Sequence, residues 1–197
     1  MKSYHLMGSA PYYTNCFLLV DNSGSAVLID CSVPWRKLDE ILKNDHAQLK
    51  AILMTHGHHD HRETLDDVRL KSGAPVYLGR QDAQQFNIEK TIGYSERETL
   101  EFGEIKLFVF HTPGHTPGGY CLRCEDMLFS GDTLFAGTIG RTDLLGGDYE
   151  ELMNSLKTMA EYVKNQNPKV LPGHAHFSTF DMEKQQNPYL KEIVKCL

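Results

Sequence analysis

The chain has 197 residues, 41% of them hydrophobic and 10% aromatic, enough for one continuous core in a single domain spanning residues 1–197. Twenty Lys and Arg against 26 Asp and Glu leave a formal net charge of -6. With no basic block in the sequence, this excludes a dedicated nucleic-acid surface and points to a small-molecule partner.

In chain order, the opening Met1-Lys2-Ser3-Tyr4-His5 lacks the apolar stretch of an export signal, and no apolar run reaches the ~20 residues a membrane helix needs. A cytoplasmic protein without membrane contact is expected. Phe17-Leu18-Leu19-Val20, a turn at Asn22-Ser23-Gly24-Ser25 and Ala26-Val27-Leu28-Ile29 form a hairpin signal. These runs are apolar at consecutive positions, so both strand faces are covered, one by helices and one by a second sheet. Ser32-x-Pro34 opens a helix to about His46, Ala51-Ile52-Leu53-Met54 is the next buried strand, and a helix is predicted from Asp60 to about Lys71, stopped by Gly73 and Pro75.

Val76-Tyr77-Leu78 is a short strand, and residues 79–100 are polar and mixed, one helix and a loop forming part of a mouth. Strands return at 105–110, 119–123 and 127–130. Behind Asp148, with Glu151 three residues on as its capping partner, Leu152, Leu156, Met159 and Val163 repeat at helical spacing. Val170-Leu171 leads into Pro172-Gly173-His174, and the chain closes with helical material interrupted at Asn187-Pro188. The five cysteines, Cys16, Cys31, Cys121, Cys124 and Cys196, are an odd and scattered set expected as reduced thiols. Cys121 and Cys124 lie three apart on one strand and so face opposite sides of the sheet, a poor metal pair.

The feature that no packed core requires is Thr55-His56-Gly57-His58-His59-Asp60-His61, three candidate imidazoles and a carboxylate directly after a strand. Mixed imidazole and carboxylate donors suit zinc, iron or manganese rather than magnesium or calcium. Asp60 alone reads equally as a helix N-cap paired with Glu63, but crowding His56, His58 and His61 around it would cost desolvation for no packing gain. Further candidates stand at turns after strands: His115 between Pro113-Gly114 and Thr116-Pro117, Asp132 after Gly131, and His174 after Gly173. Each reads also as an ordinary turn residue, and spacing does not choose. Seven such ligands exceed one tetrahedral zinc and suit two ions sharing a bridging carboxylate. His59 reads as solvent-facing or supporting; His5, His46 and His111 as surface or loop residues; and His176 as a contact at the mouth of the site.

His56-x-His58-x-Asp60-His61, Pro113-Gly114-His115, Gly131-Asp132 and Pro172-Gly173-His174 occur in an order that resembles the metallo-β-lactamase superfamily over nearly the whole chain. Phe129-Ser130-Gly131-Asp132-Thr133-Leu134-Phe135, Gly140-Arg141-Thr142-Asp143 and Asn187-Pro188-Tyr189 are similar to its hydroxyacylglutathione hydrolase, or glyoxalase II-like, branch. The resemblance implies an α+β fold, a four-layer αββα sandwich of two mixed sheets with metals at one edge. It implies two divalent ions, zinc first with iron or manganese as alternatives. His56, His58 and His115 would hold one, Asp60, His61 and His174 the other, with Asp132 bridging and Asp30 orienting a ligand from behind.

The expected activity is hydrolysis of an acyl thioester by a metal-activated hydroxide, with Asp60 orienting it and Arg141 meeting a substrate carboxylate or else pairing with Asp143 or Asp148. The alternatives are an iron-dependent persulfide dioxygenase using His56, His115 and Asp132, and a lactonase. Two departures from the family pattern bear on the substrate. Only 23 residues follow His174, so the helical domain that grips glutathione is not expected, and Ala175-His176-Phe177-Ser178 stands where short relatives usually have Gly-Pro.

Overall fold

The computed structural model describes residues 1–163 and 166–194. The first sheet takes β1 (Lys2–Met7), β2 (Asn15–Val20), β3 (Ser25–Ile29), β4 (Gln48–Leu53), β5 (Val76–Tyr77) and β6 (Thr91–Ile92) in that spatial order. β1, β2 and β3 pair antiparallel, and β3 through β6 parallel. The second sheet contains β7 (Thr99–Phe102), β8 (Ile105–His111), β9 (Tyr120–Cys124) and β10 (Met127–Gly131). A separate ribbon pairs β11 (Leu134–Phe135) with β12 (Thr138–Ile139), and β13 (Lys169–Pro172) and β14 (Ser178–Thr179) complete the second sheet in the order β14-β13-β10-β9-β8-β7. β13 pairs parallel with β10, so Asp132 and His174 leave neighbouring strands at the same end.

Because side chains alternate across a strand, each consecutive apolar run feeds two layers. From β2, Phe17 and Leu19 enter the space between the sheets with Leu53, Val109, Leu122 and Phe129. Leu18 and Val20 face outward, onto Leu38 and Leu42 of α1 (Trp35–Asn44) and Leu65 and Val68 of α2 (Leu65–Ser72). A short helix α3 (Arg80–Gln85) follows β5. On the far side, Phe110, Cys121, Leu128 and Val170 pack against Leu156, Met159 and Val163 at α4 (Tyr149–Tyr162). Phe180 of α5 (Phe180–Gln186) and Leu190 of α6 (Pro188–Val194) extend that layer. The four-layer αββα sandwich is therefore present. Cys121 and Cys124 sit in different layers, one outside the second sheet and one between the sheets.

Local chemistry explains most boundaries. The β2–β3 turn is closed by Asp21 Oδ1, which accepts the amides of Ser23 and Ser25, both at 2.8 Å. Asp148 caps α4 by accepting the Glu151 amide at 2.9 Å, as the sequence predicts. Gly73 ends α2 with a φ of 68°. The described cysteines, Cys16, Cys31, Cys121 and Cys124, are all buried free thiols, while Cys196 lies outside the described residues.

The helix predicted from Asp60 is a correction. His59–His61 form a single 3-10 turn, the chain breaks at residues 62–64, and α2 begins only at Leu65. The Asp60–Glu63 capping pair does not form, and Thr64 precedes α2 with no side-chain cap. The cause is tertiary. The Asp60 carbonyl accepts the Ser32 hydroxyl and the His61 carbonyl accepts the Cys31 amide at 2.7 Å, so neither is available to propagate a helix. Strand β1 is absent from the sequence reading because Leu6 alone among its residues is buried, which erases any alternating pattern. No helix among the described residues is long and apolar enough to cross a membrane.

Leu53, fully buried between the sheets, and Leu70, 83% exposed on α2, provide a matched pair of tests. Leu53→Ala is expected to lower unfolding stability by ~2–5 kcal/mol, and Leu70→Ala to stay within ~0.5 kcal/mol, in urea titrations.

Candidate metal centre

The seven predicted ligands converge at one end of the sandwich, on loops that follow strands. His56, His58, Asp60 and His61 follow β4, His115 lies between β8 and β9, Asp132 follows β10 and His174 follows β13. Asp30 follows β3. The donor atoms fall into three groups whose members lie within 4.8 Å of one another: His56, His58 and His115; His56, His61 and Asp132; and Asp60, His61 and His174. The first and third are the two sets implied by the sequence resemblance. Asp132 lies between them, with Oδ1 3.2 Å from His61 Nε2 and Oδ2 3.4 Å from His115 Nε2 and 3.7 Å from His174 Nε2.

His56, His61, His115 and His174 each have one nitrogen held by the protein and the other turned inward. The Arg141 carbonyl accepts from His115 Nδ1 at 2.7 Å, and the Tyr12 carbonyl from His174 Nδ1 at 3.3 Å. A carbonyl only accepts, so both rings carry a proton on Nδ1 and turn Nε2 toward the centre. His61 Nδ1 donates to Asp30 Oδ2 at 2.8 Å. Thr55 Oγ1 donates to Asp30 Oδ2 at 2.9 Å and accepts from His56 Nδ1 at 3.1 Å. Asp30 thus orients His61 directly and His56 through Thr55, the arrangement that fixes tautomer and ring angle in metal sites. Asp30 adopts a φ of 54°, where strain is tolerated for the sake of this placement.

These contacts leave unfavourable features that cations relieve. The buried His56 Nε2 and Asp132 Oδ1 have no hydrogen-bond partner. His58 Nδ1 and His115 Nε2 lie 2.9 Å apart and His61 Nε2 and His174 Nε2 3.2 Å apart, so without a cation each pair must share a proton. Burial and the neighbouring imidazoles drive His56 well below the ordinary histidine range, and push His58 down to about 4. Burial opposes charge on His61, but Asp30 and Asp132 outweigh it and raise the group well above its ordinary value. Burial likewise opposes charge on His174, and hydrogen bonding to Asp60 at 3.0 Å outweighs it, so this group is raised. Burial would raise Asp132, yet His61, His56 and His115 hold it far below the carboxylate range. The donors and their charges therefore fit two divalent ions.

Packing leaves no slack around this cluster. A Cβ on Gly173 would lie 2.4 Å from both Asp132 Oδ1 and His61 Cε1. Above the centre opens a cleft of 710 Å³ whose walls include Tyr12, Phe135, Ile139, Leu144 and Arg141. The Arg141 guanidinium grips Asp143 with two 2.7 Å bonds, one of the two internal partners the sequence offers it beside a substrate carboxylate. His59 is exposed at the cleft mouth. His176 is exposed and is not among the described residues that line the cleft.

Sequence reasoning missed Thr55, the Tyr12 carbonyl and Asp82. A threonine before the histidine run carries no distinguishing signal, and a backbone carbonyl carries none. Asp82, in a polar and mixed stretch read as part of the mouth, is fully buried behind the first ligand group.

A family model described as the metallo-beta-lactamase superfamily matches residues 10–174. The chain belongs to the metallo-β-lactamase superfamily. It is 33% identical over 207 residues to the "Probable metallo-hydrolase YqgX" of Bacillus subtilis, covering 93% of this chain and 95% of that protein. It is 30% identical over 199 residues to the "Hydroxyacylglutathione hydrolase GloC" of Haemophilus influenzae, covering 91% and 93%. A solved structure titled "Crystal structure of TTHA1623 in a di-iron-bound form" superposes with a TM-score of 0.79 and 30% identity, over 94% of this chain and 99% of that one. Membership makes the chain one of a superfamily of metal-dependent hydrolases.

Metal binding must displace protons from the ion-free centre, chiefly from His61 and His174, whose raised pKa values keep them charged to higher pH. Affinity for added zinc is therefore expected to rise from pH 6 to pH 8, by about tenfold or more. Chelator competition at the two pH values measures it, and a flat or inverted dependence would contradict the assignment.

Proposed function

We propose that the protein is a dinuclear metal-dependent hydrolase of acyl thioesters, of the hydroxyacylglutathione hydrolase type. The observation that carries this reading is the division of seven donors into two triads, with the Asp132 carboxylate between them at the floor of an open cleft. His56, His58 and His115 would hold one ion, Asp60, His61 and His174 the other, and Asp132 both; zinc and iron suit these donors equally in kind. Bound there, two such ions supply Lewis acidity and a water acidified toward a pKa of ~7.

The protein side chains have separate tasks. Asp60, on the cleft wall and held below the carboxylate range by its bond to His174 despite burial, stays ionised to orient the attacking water. Asp30 and Thr55 keep His61 and His56 in the tautomers that present Nε2. Tyr12, Phe135, Ile139 and Leu144 offer an apolar wall against the acyl group and exclude water around it. A substrate carboxylate would have to take Arg141 from Asp143, an exchange of small cost at an exposed pair.

Among the described residues every cysteine is a buried thiol, and burial pushes Cys31 up to about 12 and Cys121 up to about 11, so none of them competes for the role. The relative named for hydroxyacylglutathione hydrolysis is covered over 93% of its length by this chain. That near-complete coverage supports glutathione thioesters as substrates.

Two measurements test the proposal together. Protein purified without added metal is expected to hold two zinc or iron ions per chain and to hydrolyse S-lactoylglutathione or a related thioester. Asp132→Ala is expected to lose bound metal and at least ~100-fold in kcat/KM, or ~2.7 kcal/mol of transition-state stabilisation. One iron per chain with oxygen uptake on glutathione persulfide would overturn the hydrolase. Undiminished metal content in the variant would overturn the placement of Asp132 between the ions.

A further inference from the structure

Asp82 is a completely buried carboxylate outside the cleft lining, on a short helix whose other residues are polar apart from Ala83. A buried acid costs several kcal/mol unless its oxygens are well satisfied. Here they are. Oδ2 accepts the Gly57 amide at 2.7 Å and the Thr116 hydroxyl at 2.8 Å, and Oδ1 accepts the Gly118 amide at 2.6 Å. Gly57 lies between His56 and His58, while Thr116 and Gly118 follow His115. One carboxylate therefore ties together the two loops that carry all three histidines of the first ligand group. Asp60, His61 and His174 receive no bond from it.

The rest of α3 reinforces this arrangement. Phe86, just after the helix, packs edge-on to the His58 ring at 5.1 Å. The approach is too close for side chains in between: a Cβ on Gly118 would lie 2.5 Å from the Asp82 amide nitrogen. With both loops drawn onto one acceptor, His58 Nδ1 and His115 Nε2 are brought to 2.9 Å. At that separation the two nitrogens share either a proton or a cation.

We infer that Asp82 is a positioning residue for one ion of the pair, the ion of His56, His58 and His115, and that it acts through the Gly57 and Gly118 amides and the Thr116 hydroxyl. The inference rests on the two-ion reading above. Asp82→Ala leaves three donors behind the loops without their acceptor, so the spacing of the two loops is no longer set. Asp82→Asn retains one oxygen, which can keep either the Gly57 and Thr116 bonds or the Gly118 bond but not all three.

The test is a metal titration of the full chain with zinc alone, read as ions bound per chain and affinity at each site, beside the melting temperature. Leu156→Ala, a core truncation under α4, serves as a control for general destabilisation. The expected result is two ions in the wild type and a loss of ~10–100-fold in affinity at one site in Asp82→Ala, with a smaller loss in Asp82→Asn. The second site should stay within about threefold, and Leu156→Ala should retain both. If Asp82→Ala and Asp82→Asn kept both affinities, or lost both to the same extent, the positioning role would be refuted and the two-ion reading would stand. A wild-type chain that binds one zinc or none would refute the two-ion reading itself, and this inference with it.

Discussion

Five imidazoles and two carboxylates share one end of a β-sandwich, and their mutual crowding is the constraint around which the molecule is arranged. Nitrogens face nitrogens, and two buried polar atoms go without hydrogen bonds. An apolar core would never select this, because unsatisfied buried polar groups each cost on the order of 1–3 kcal/mol. The cost is tolerable only if cations complete the set. Every outward-facing contact serves that end: Asp30, Thr55 and the carbonyls of Tyr12 and Arg141 turn rings inward that would otherwise find easier partners. Stability and metal binding are consequently linked, since ions that bind the folded chain alone favour it by mass action.

Much of the scaffold is legible from the residues because it rests on short-range rules. Apolar runs such as Phe17 to Val20 demand cover on both faces, which implies the layered sandwich, and Asp148 announces α4 by its own capping chemistry. What escapes is decided by distant partners. Asp60 and Glu63 satisfy a helix-start pattern, yet Ser32 and the Cys31 amide capture the carbonyls a helix would have used. Strand β1 has one buried side chain and is held by pairing with β2, information that resides in β2.

The candidate site divides in the same way. The histidine run after β4 identifies itself, since four donors within six positions have no structural alternative of comparable economy. His115, Asp132 and His174 do not. Each stands in a turn that suits an ordinary polar residue, and only the resemblance to a known family singles them out. Their convergence depends on β10 and β13 lying side by side and on two sheets facing each other, facts of topology. Asp82 was beyond reach for a further reason: its partners are two backbone amides and a hydroxyl, which leave no mark on residue type.

Gly173 shows how this architecture joins its walls. Its amide donates to the Gly131 carbonyl in the second sheet, and its own carbonyl accepts the Asn15 amide at the start of β2 in the first. One residue thus rivets the two walls beside His174, while at the opposite end the Asp21 carboxylate accepts the Glu104 amide across the sheets. Loss of either bond would therefore disturb both walls beside His174 at once.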